Sequence, residues 1–328
     1  MKKSLTGKII YYLLHCIGLL LLFIVLKDFQ WALFGEIFAS LKVWNFLFGL
    51  GMLAIVYLMK SYRWMLINRE FGISLDYGTT LIYYLAAGFL SAITPGRLGD
   101  FTKIYFLHKK TGQPMLRSTT TVLIDRIWDV LILTMVGGIS LIMILGKFTG
   151  NWLSISLIIL IFAGSLSVIF FPGILFRPVL YIFRKKEKIY VQLDEVYRNW
   201  KEKKLKLVIP GIGISLASFL ALAVIPLVFS RELGQDIGLV HTAGAVSISN
   251  MLSFLPVTVA GFGTRELVFK EIWNIIHLSS EAAISISSAY FLCSYMGSII
   301  MGGLTYLVWF KKHFSIRQLT ETKEKLTD

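Results

Sequence analysis

The sequence of 328 residues predicts an all-α polytopic membrane protein: six spanning helices plus two re-entrant hairpins in a pseudo-inverted arrangement, eight membrane segments in a single transmembrane domain. Three observations lead there. The chain is 56% hydrophobic and only 16% charged, with a mean hydropathy of +0.71, far more apolar than a water-soluble domain of this length. Its apolar residues gather in runs long enough to cross hydrocarbon. Its Lys and Arg obey the positive-inside rule only if two of those runs turn back to the face they enter from.

In chain order, Lys2, Lys3 and Lys8 precede an apolar run over 9–26. No A-x-A cleavage pattern follows it, so it reads as a retained anchor rather than a removed signal. Leu33, Phe34, Ile37, Phe38 and Leu41 then form an apolar stripe at helical spacing. Further spans are expected over 43–59, 121–145, 151–171, 207–229 and 284–310. The segments 81–95 and 241–262 are apolar but irregular, each running into Pro and Gly. Between 172 and 206 a cytoplasmic amphipathic loop carries Ile189, Leu193, Val196 and Trp200 among charged residues, with a basic cluster at Arg184, Lys185, Lys186 and Lys188. That loop either rests on anionic lipid or is a solvated linker. Residues 311–328 form a cytoplasmic tail.

The two irregular segments decide the topology. If all eight runs crossed, 13 basic residues would lie inside and 19 outside. If 81–95 and 241–262 are re-entrant, one from each face, the count becomes 26 inside and 6 outside, with Arg126 within a span. The second arrangement satisfies the charge rule and places both termini in the cytoplasm. The hairpins also share a pattern: Leu-Ser, then Pro, then Gly and an Arg/acid pair. The first has Pro95, Gly96 and Gly99 in its backbone; the second has Pro256, Gly261 and Gly263. Paired broken elements of this kind expose backbone dipoles that bind charge within the membrane. Pro and Gly capping helices at the interface account for the pattern equally well.

A net charge of +14 would suggest nucleic acid for a soluble protein. Here it reports topology and anionic headgroups, and no nucleic-acid partner is expected. Cys16 and Cys293 both lie in apolar runs, giving neither a disulfide framework nor metal spacing. His15 and His108 offer no convincing general base. No cofactor, metal site or catalytic residue is expected.

The charges inside the apolar runs are the informative ones. Asp125, Arg126 and Asp129 open a span, where each costs about 2.5–3.5 kcal/mol at the helix centre and less near an end. Asp125 and Asp129 share a face at a spacing of four, and Arg126 reaches Asp129 at three. One excess negative charge remains, to be met by Arg97 or Lys103 if the first hairpin folds against this helix. The cluster either locks the hairpin to the bundle or lines a polar cavity. In a cavity, Arg97, Arg126 and Arg265 would hold a phosphate by forked hydrogen bonds, and Asp100, Asp125, Asp129 and Glu266 would balance them or bind a cationic headgroup.

These residues resemble the transmembrane region of the lysylphosphatidylglycerol synthases, also described as flippase-like membrane proteins. The resemblance spans nearly the whole chain. It rests on Pro95-Gly96-Arg97-Leu98-Gly99-Asp100, on Asp125-Arg126-x-x-Asp129, and on Leu255-Pro256 followed by Gly261-x-Gly263-x-Arg265-Glu266, in that order. It implies a fold that moves aminoacylated phosphatidylglycerol or another anionic amphiphile between leaflets, with these motifs near the lipid path. Bifunctional members continue into a large cytoplasmic lysyltransferase domain, whereas this sequence runs 18 residues past position 310, which puts transferase activity of the lysyltransferase type in doubt. No G-x-x-x-x-G-K-[ST] loop is present, so transport would be downhill, ion-coupled or partner-driven.

The function expected is translocation of an anionic or aminoacylated phospholipid, or of a polyprenyl-linked amphiphile, across the cytoplasmic (inner) membrane. The alternatives are a membrane subunit of a lysyltransferase-type lipid-modifying enzyme and a scaffold for lipid synthesis. The expected partners are a membrane phospholipid or lipid-linked substrate, anionic headgroups at the cytoplasmic face, and a lipid-synthesis enzyme.

Overall fold

The computed structural model describes residues 31–145, 187–235, 237–254, 261, 263–310 and scattered positions between 156 and 184. The described residues are helical, with no strand among them. The expected segments 9–26 and 311–328, Pro256, and most of 151–171 lie outside the described residues.

After α1 (Trp31–Ser40), α2 runs over Val43–Glu70, eleven residues past the expected end at 59. The first polar residues, Lys60 and Arg63, do not stop it, because Trp64, Met65 and Ile67 supply a further buried apolar turn. The Asp76 side chain accepts the Thr79 N–H at 2.8 Å and caps α3 (Tyr77–Ala92), satisfying one of the donors a helix start leaves unpaired. A 3-10 turn over Pro95–Phe101 leads to α4 (Thr102–Thr111) and then α5 (Met115–Leu145). Helix α6 (Glu187–Glu232) joins much of the expected amphipathic loop to the next span without a break. It is followed by α7 (Leu239–Ser253) and α8 (Thr264–Asn274). The last stretch is α9 (Ser280–Phe291), a π-helical turn over Leu292–Met296, and α10 (Gly297–Thr305).

Four helices are long and apolar enough to cross a bilayer: Val43–Glu70, Met115–Ile144, Lys206–Glu232 and Ser280–Val308. They coincide with four of the expected spans. Large apolar side chains such as Trp44, Ile209, Leu304 and Val308 are exposed on them, the outward face of a helix whose surroundings are lipid. Inside, one core gathers about Trp128, Phe229, Phe269 and Tyr290, and a second about Trp64, Tyr83, Tyr84 and Phe106.

The chain repeats its order of elements. A long helix, a short helix, a Gly-bearing break, a short helix and a long helix occur as α2 to α5, then as α6 to α10. Helix starts Tyr77 and Thr102 are 25 residues apart, and so are Leu239 and Thr264. The offset between the copies is 162 residues, from 264 less 102. At that offset Ser91 matches Ser253, Gly99 matches Gly261 and Thr102 matches Thr264. The local hydrogen bonding repeats too: the Thr102 hydroxyl donates to the Gly99 carbonyl at 2.6 Å, and Thr264 donates to Gly261 at 3.0 Å.

Small residues set the closest helix approaches. A Cβ at Gly302 would overlap the Leu85 carbonyl oxygen, so α10 and α3 meet backbone to backbone. Gly137 faces Ser247, and Gly244 faces Ser140, across α5 and α7. Where no water is available to drive apolar association, such close contact is what holds helices together.

Candidate functional site

The site begins with the sharp turn after α3. Gly96 and Arg97 both have left-handed backbones, φ 60° and 56°, a conformation that side chains other than Gly adopt only when surrounding structure holds it. Thr94 does much of the holding. Its hydroxyl donates to the Leu90 carbonyl and accepts the Gly99 N–H, both at 2.8 Å. Gly99 presses onto the end of α3, where a Cβ would overlap the Leu90 carbonyl group. The turn thereby presents Arg97 and Asp100 to the interior.

Five cations and three carboxylates converge here. From α2, Arg63 is almost wholly buried and grips Asp125 through Nε at 3.0 Å and Nη2 at 2.7 Å. The same Nη2 lies 2.9 Å from Asp129, and Nη1 donates to Ser215 of α6 at 2.5 Å. Lys60, one turn earlier, pairs with Asp129 at 3.0 Å. Lys103 of α4 pairs with the other oxygen of Asp125 at 2.8 Å, which the Tyr84 hydroxyl also reaches at 3.1 Å. Lys103 lies over the Tyr84 ring, 4.1 Å from its centroid. Arg126 bridges Asp100 at 2.8 Å and Asp129 at 3.5 Å, and the Ser91 hydroxyl donates to Asp100 at 2.9 Å. Burying ions is costly unless each is paired and its remaining hydrogen-bonding capacity is met. Asp125 and Asp129 meet that condition through α2, α4 and α5 together, which ties those helices to one another.

Arg97 differs. Among the described residues no carboxylate lies within ion-pair distance of it. Its guanidinium is 5.7 Å from the Phe254 ring centroid and 5.8 Å from that of Tyr295, and its Nε is 3.4 Å from the Ser91 hydroxyl. Aromatic faces stabilise a guanidinium without neutralising it.

These groups border a partly open cavity of about 890 Å³ of atom-free space, mouth included. Lys60, Arg97, Asp100, Arg126 and Asp129 form one wall. The other is built from α6, α7 and the last helix: Ser215, Ser218, Asn250, Tyr290, Ser294 and Ser298. The π-helical turn holds Ser294 and Tyr295, and such turns often occur where a helix must re-aim side chains into a site.

The sequence-derived residues therefore divide. Arg97, Asp100, Arg126 and Asp129 line the cavity, while Asp125 and Lys103 lie just behind in its charge network. The excess acid at the start of the span is met by Lys103, and by Arg63, which sequence reasoning missed. Arg265 and Glu266 are not in the cavity lining, although Arg265 lies 6.0 Å from the ring centroid of Tyr295, which Arg97 also faces: they pair with each other, Arg265 donates to Ser287 at 3.1 Å, and Glu266 accepts the Gly263 N–H at 2.8 Å. By the repeat, Arg265 occupies the position of Lys103. Lys103 reaches Asp125, 22 residues on, and Arg265 reaches Ser287, also 22 residues on. Lys60, Arg63 and Tyr84, and on the far helices Ser215, Ser218, Asn250 and Tyr290, are site groups absent from the sequence reading. For Lys60 and Arg63 the available signal was the apolar turn Trp64–Ile67, which continues their helix.

A UPF0104 membrane protein of Methanocaldococcus jannaschii is 22% identical to this chain over 229 residues, covering 67% of this chain and 94% of that relative. The profile of the family described as the lysylphosphatidylglycerol synthase TM region matches residues 9–302. The match takes in the Arg97 turn, the Asp125–Asp129 helix, the repeat and the cavity between them. The chain is a multi-pass membrane protein and belongs to the lysylphosphatidylglycerol synthase TM region family.

Proposed function

We propose that this protein translocates a phosphate-bearing lipid between the leaflets of the cytoplasmic membrane, with the headgroup in the charged cavity and the acyl or prenyl tails in the bilayer. The observation that carries this is Arg97: a cation at the wall of the charged cavity, held by aromatic faces and a strained turn, with no carboxylate within ion-pair distance among the described residues. A structural arginine in a membrane protein is normally paired, since an unpaired ion there is costly. An arginine held ready by its backbone and left open to a cavity suits a ligand that brings its own negative charge. The family supports a lipid ligand. In this reading Arg97, Arg126 and Lys60 contact the phosphate, Asp100 and Asp129 orient those cations, and Arg63, Lys103 and Asp125 hold the wall in place. The segments 81–95 and 241–262 are the re-entrant halves of the path, with both termini cytoplasmic.

The test is leaflet exchange of labelled phosphatidylglycerol, lysyl-phosphatidylglycerol and a polyprenyl phosphate in vesicles holding the purified protein. Exchange of at least one lipid should fall ten-fold or more in Arg97→Ala, with the fraction of folded protein unchanged. If no lipid moves in folded protein, with or without an ion gradient, translocation is wrong. Full activity in Arg97→Ala would favour a scaffold for lipid synthesis.

A further inference from the structure

We infer that the cavity selects a lipid headgroup of net negative charge that also carries free hydroxyl groups, the phosphoglycerol or phospho-sugar class, and disfavours aminoacylated, net-cationic headgroups. The inference rests on the proposed reading of the cavity as a headgroup site and narrows it to one chemical class.

The first ground is charge. Lys60, Arg63, Arg97, Lys103 and Arg126 face Asp100, Asp125 and Asp129, a surplus of two positive charges. Each carboxylate is already engaged: Asp125 by Arg63 and Lys103, Asp129 by Lys60, Arg63 and Arg126, and Asp100 by Arg126. The nearby Arg265–Glu266 pair is neutral by itself. A phosphate entering beside Arg97 offsets part of the surplus. A lysyl ester would bring two ammonium groups into a site whose acids are occupied, and in a low-dielectric interior like charges repel strongly.

The second ground is the opposite wall. The hydroxyls of Ser218, Ser294 and Ser298 donate to the carbonyls of Ser215, Tyr290 and Ser294, at 2.9, 2.6 and 2.5 Å. Their protons are committed along their own helices, so the oxygens of Ser218 and Ser294 keep acceptor capacity at the cavity lining, while that of Ser298 also meets the Tyr57 hydroxyl. A headgroup with free hydroxyls supplies the matching donors, while its phosphate lies against the cationic wall.

Binding tests this independently of transport. Purified protein in phosphatidylcholine nanodiscs is titrated with labelled phosphatidylglycerol and with labelled lysyl-phosphatidylglycerol, and glycerol 3-phosphate and inorganic phosphate are added as competitors. Phosphatidylglycerol is expected to bind at least ten-fold more tightly than its lysyl ester. Glycerol 3-phosphate should compete better than inorganic phosphate, placing recognition in the hydroxyl-bearing headgroup. Arg97→Gln should reduce the preference, and Asn250→Asp, which adds a carboxylate to the wall at constant volume, should narrow it further towards the lysyl lipid. Equal or tighter binding of the lysyl lipid, binding of neither, indifference between the competitors, or a preference unchanged in both variants would overturn the inference. If the lysyl lipid binds better and is exchanged, the selectivity is wrong and translocation stands. If phosphatidylglycerol binds as expected but no lipid is exchanged, translocation fails and the selectivity stands.

Discussion

The two halves of the chain share a skeleton and differ in how they balance charge. In both, a short helix ends in a Gly-bearing break, a threonine hydroxyl closes it onto a glycine carbonyl, and a cation on the following helix reaches a residue 22 positions further on. In the first half that residue is Asp125, the centre of a network spanning three helices. In the second it is Ser287, and the cation, Arg265, is neutralised by the glutamate beside it. One half has therefore become a distributed, cation-rich site, whereas the other balances its buried cation with the adjoining acid. In the first half most cations share a carboxylate with a neighbour; in the second, among the described residues, the pairing is between Arg265 and Glu266.

Removing Arg63 tests the network most severely. Arg63→Met strips Asp125 and Asp129 of their shared partner, and loss of one member of a buried ion pair costs about 3–5 kcal/mol. The thermal unfolding midpoint and folded yield should drop more than for any other single cation. Next comes a direct contrast between equivalent positions. Arg265→Met leaves Glu266 buried with only the Gly263 N–H, at about 3 kcal/mol, whereas Lys103→Met leaves Asp125 still gripped by Arg63 and should cost about 1–2 kcal/mol. Unfolding of the two variants in the same detergent checks this, and the reverse order would sink the contrast. Gly302→Leu forces α10 off the α3 backbone, an overpacking cost of about 1–3 kcal/mol, while Gly303→Ala, where a Cβ would meet the Phe89 ring at 3.6 Å, should be silent. The smallest effect belongs to Asp76, at the repeat's first junction. Its carboxyl is held below the ordinary carboxylate range by hydrogen bonding to the Thr79 side chain and backbone. Its stabilisation is complete above the ordinary range and is lost as pH falls through the lowered value. Asp76→Ala should cost about 1 kcal/mol at neutral pH and remove that acid-side loss.

The sequence disclosed the helical class and the Asp125–Asp129 cluster because helical periodicity and insertion cost are local properties. Three and four residues along a helix always share a face. It also led to Lys103, through the need to balance an acid. Arg63 stayed hidden because it follows Lys60 at the point where mean hydropathy falls, and only tertiary packing shows that the next turn is buried. The repeat was visible as a pattern but with Arg265 matched to Arg97, since Pro, Gly and Arg attract attention. The residues that keep register are threonine, serine and glycine, whose hydrogen bonds become evident only in three dimensions.

Under the proposed translocation, Arg97, with no carboxylate within ion-pair distance among the described residues, has an electrical consequence. If the cavity alternates between faces, the empty form carries uncompensated positive charge, whereas the form loaded with an anionic headgroup is closer to neutral. An inside-negative membrane potential exerts about 2.3 kcal/mol per elementary charge for every 100 mV. The field would therefore act chiefly on the unloaded return, drawing the vacant cavity towards the cytoplasm, and the resting voltage would reset the carrier without any nucleotide or coupled ion.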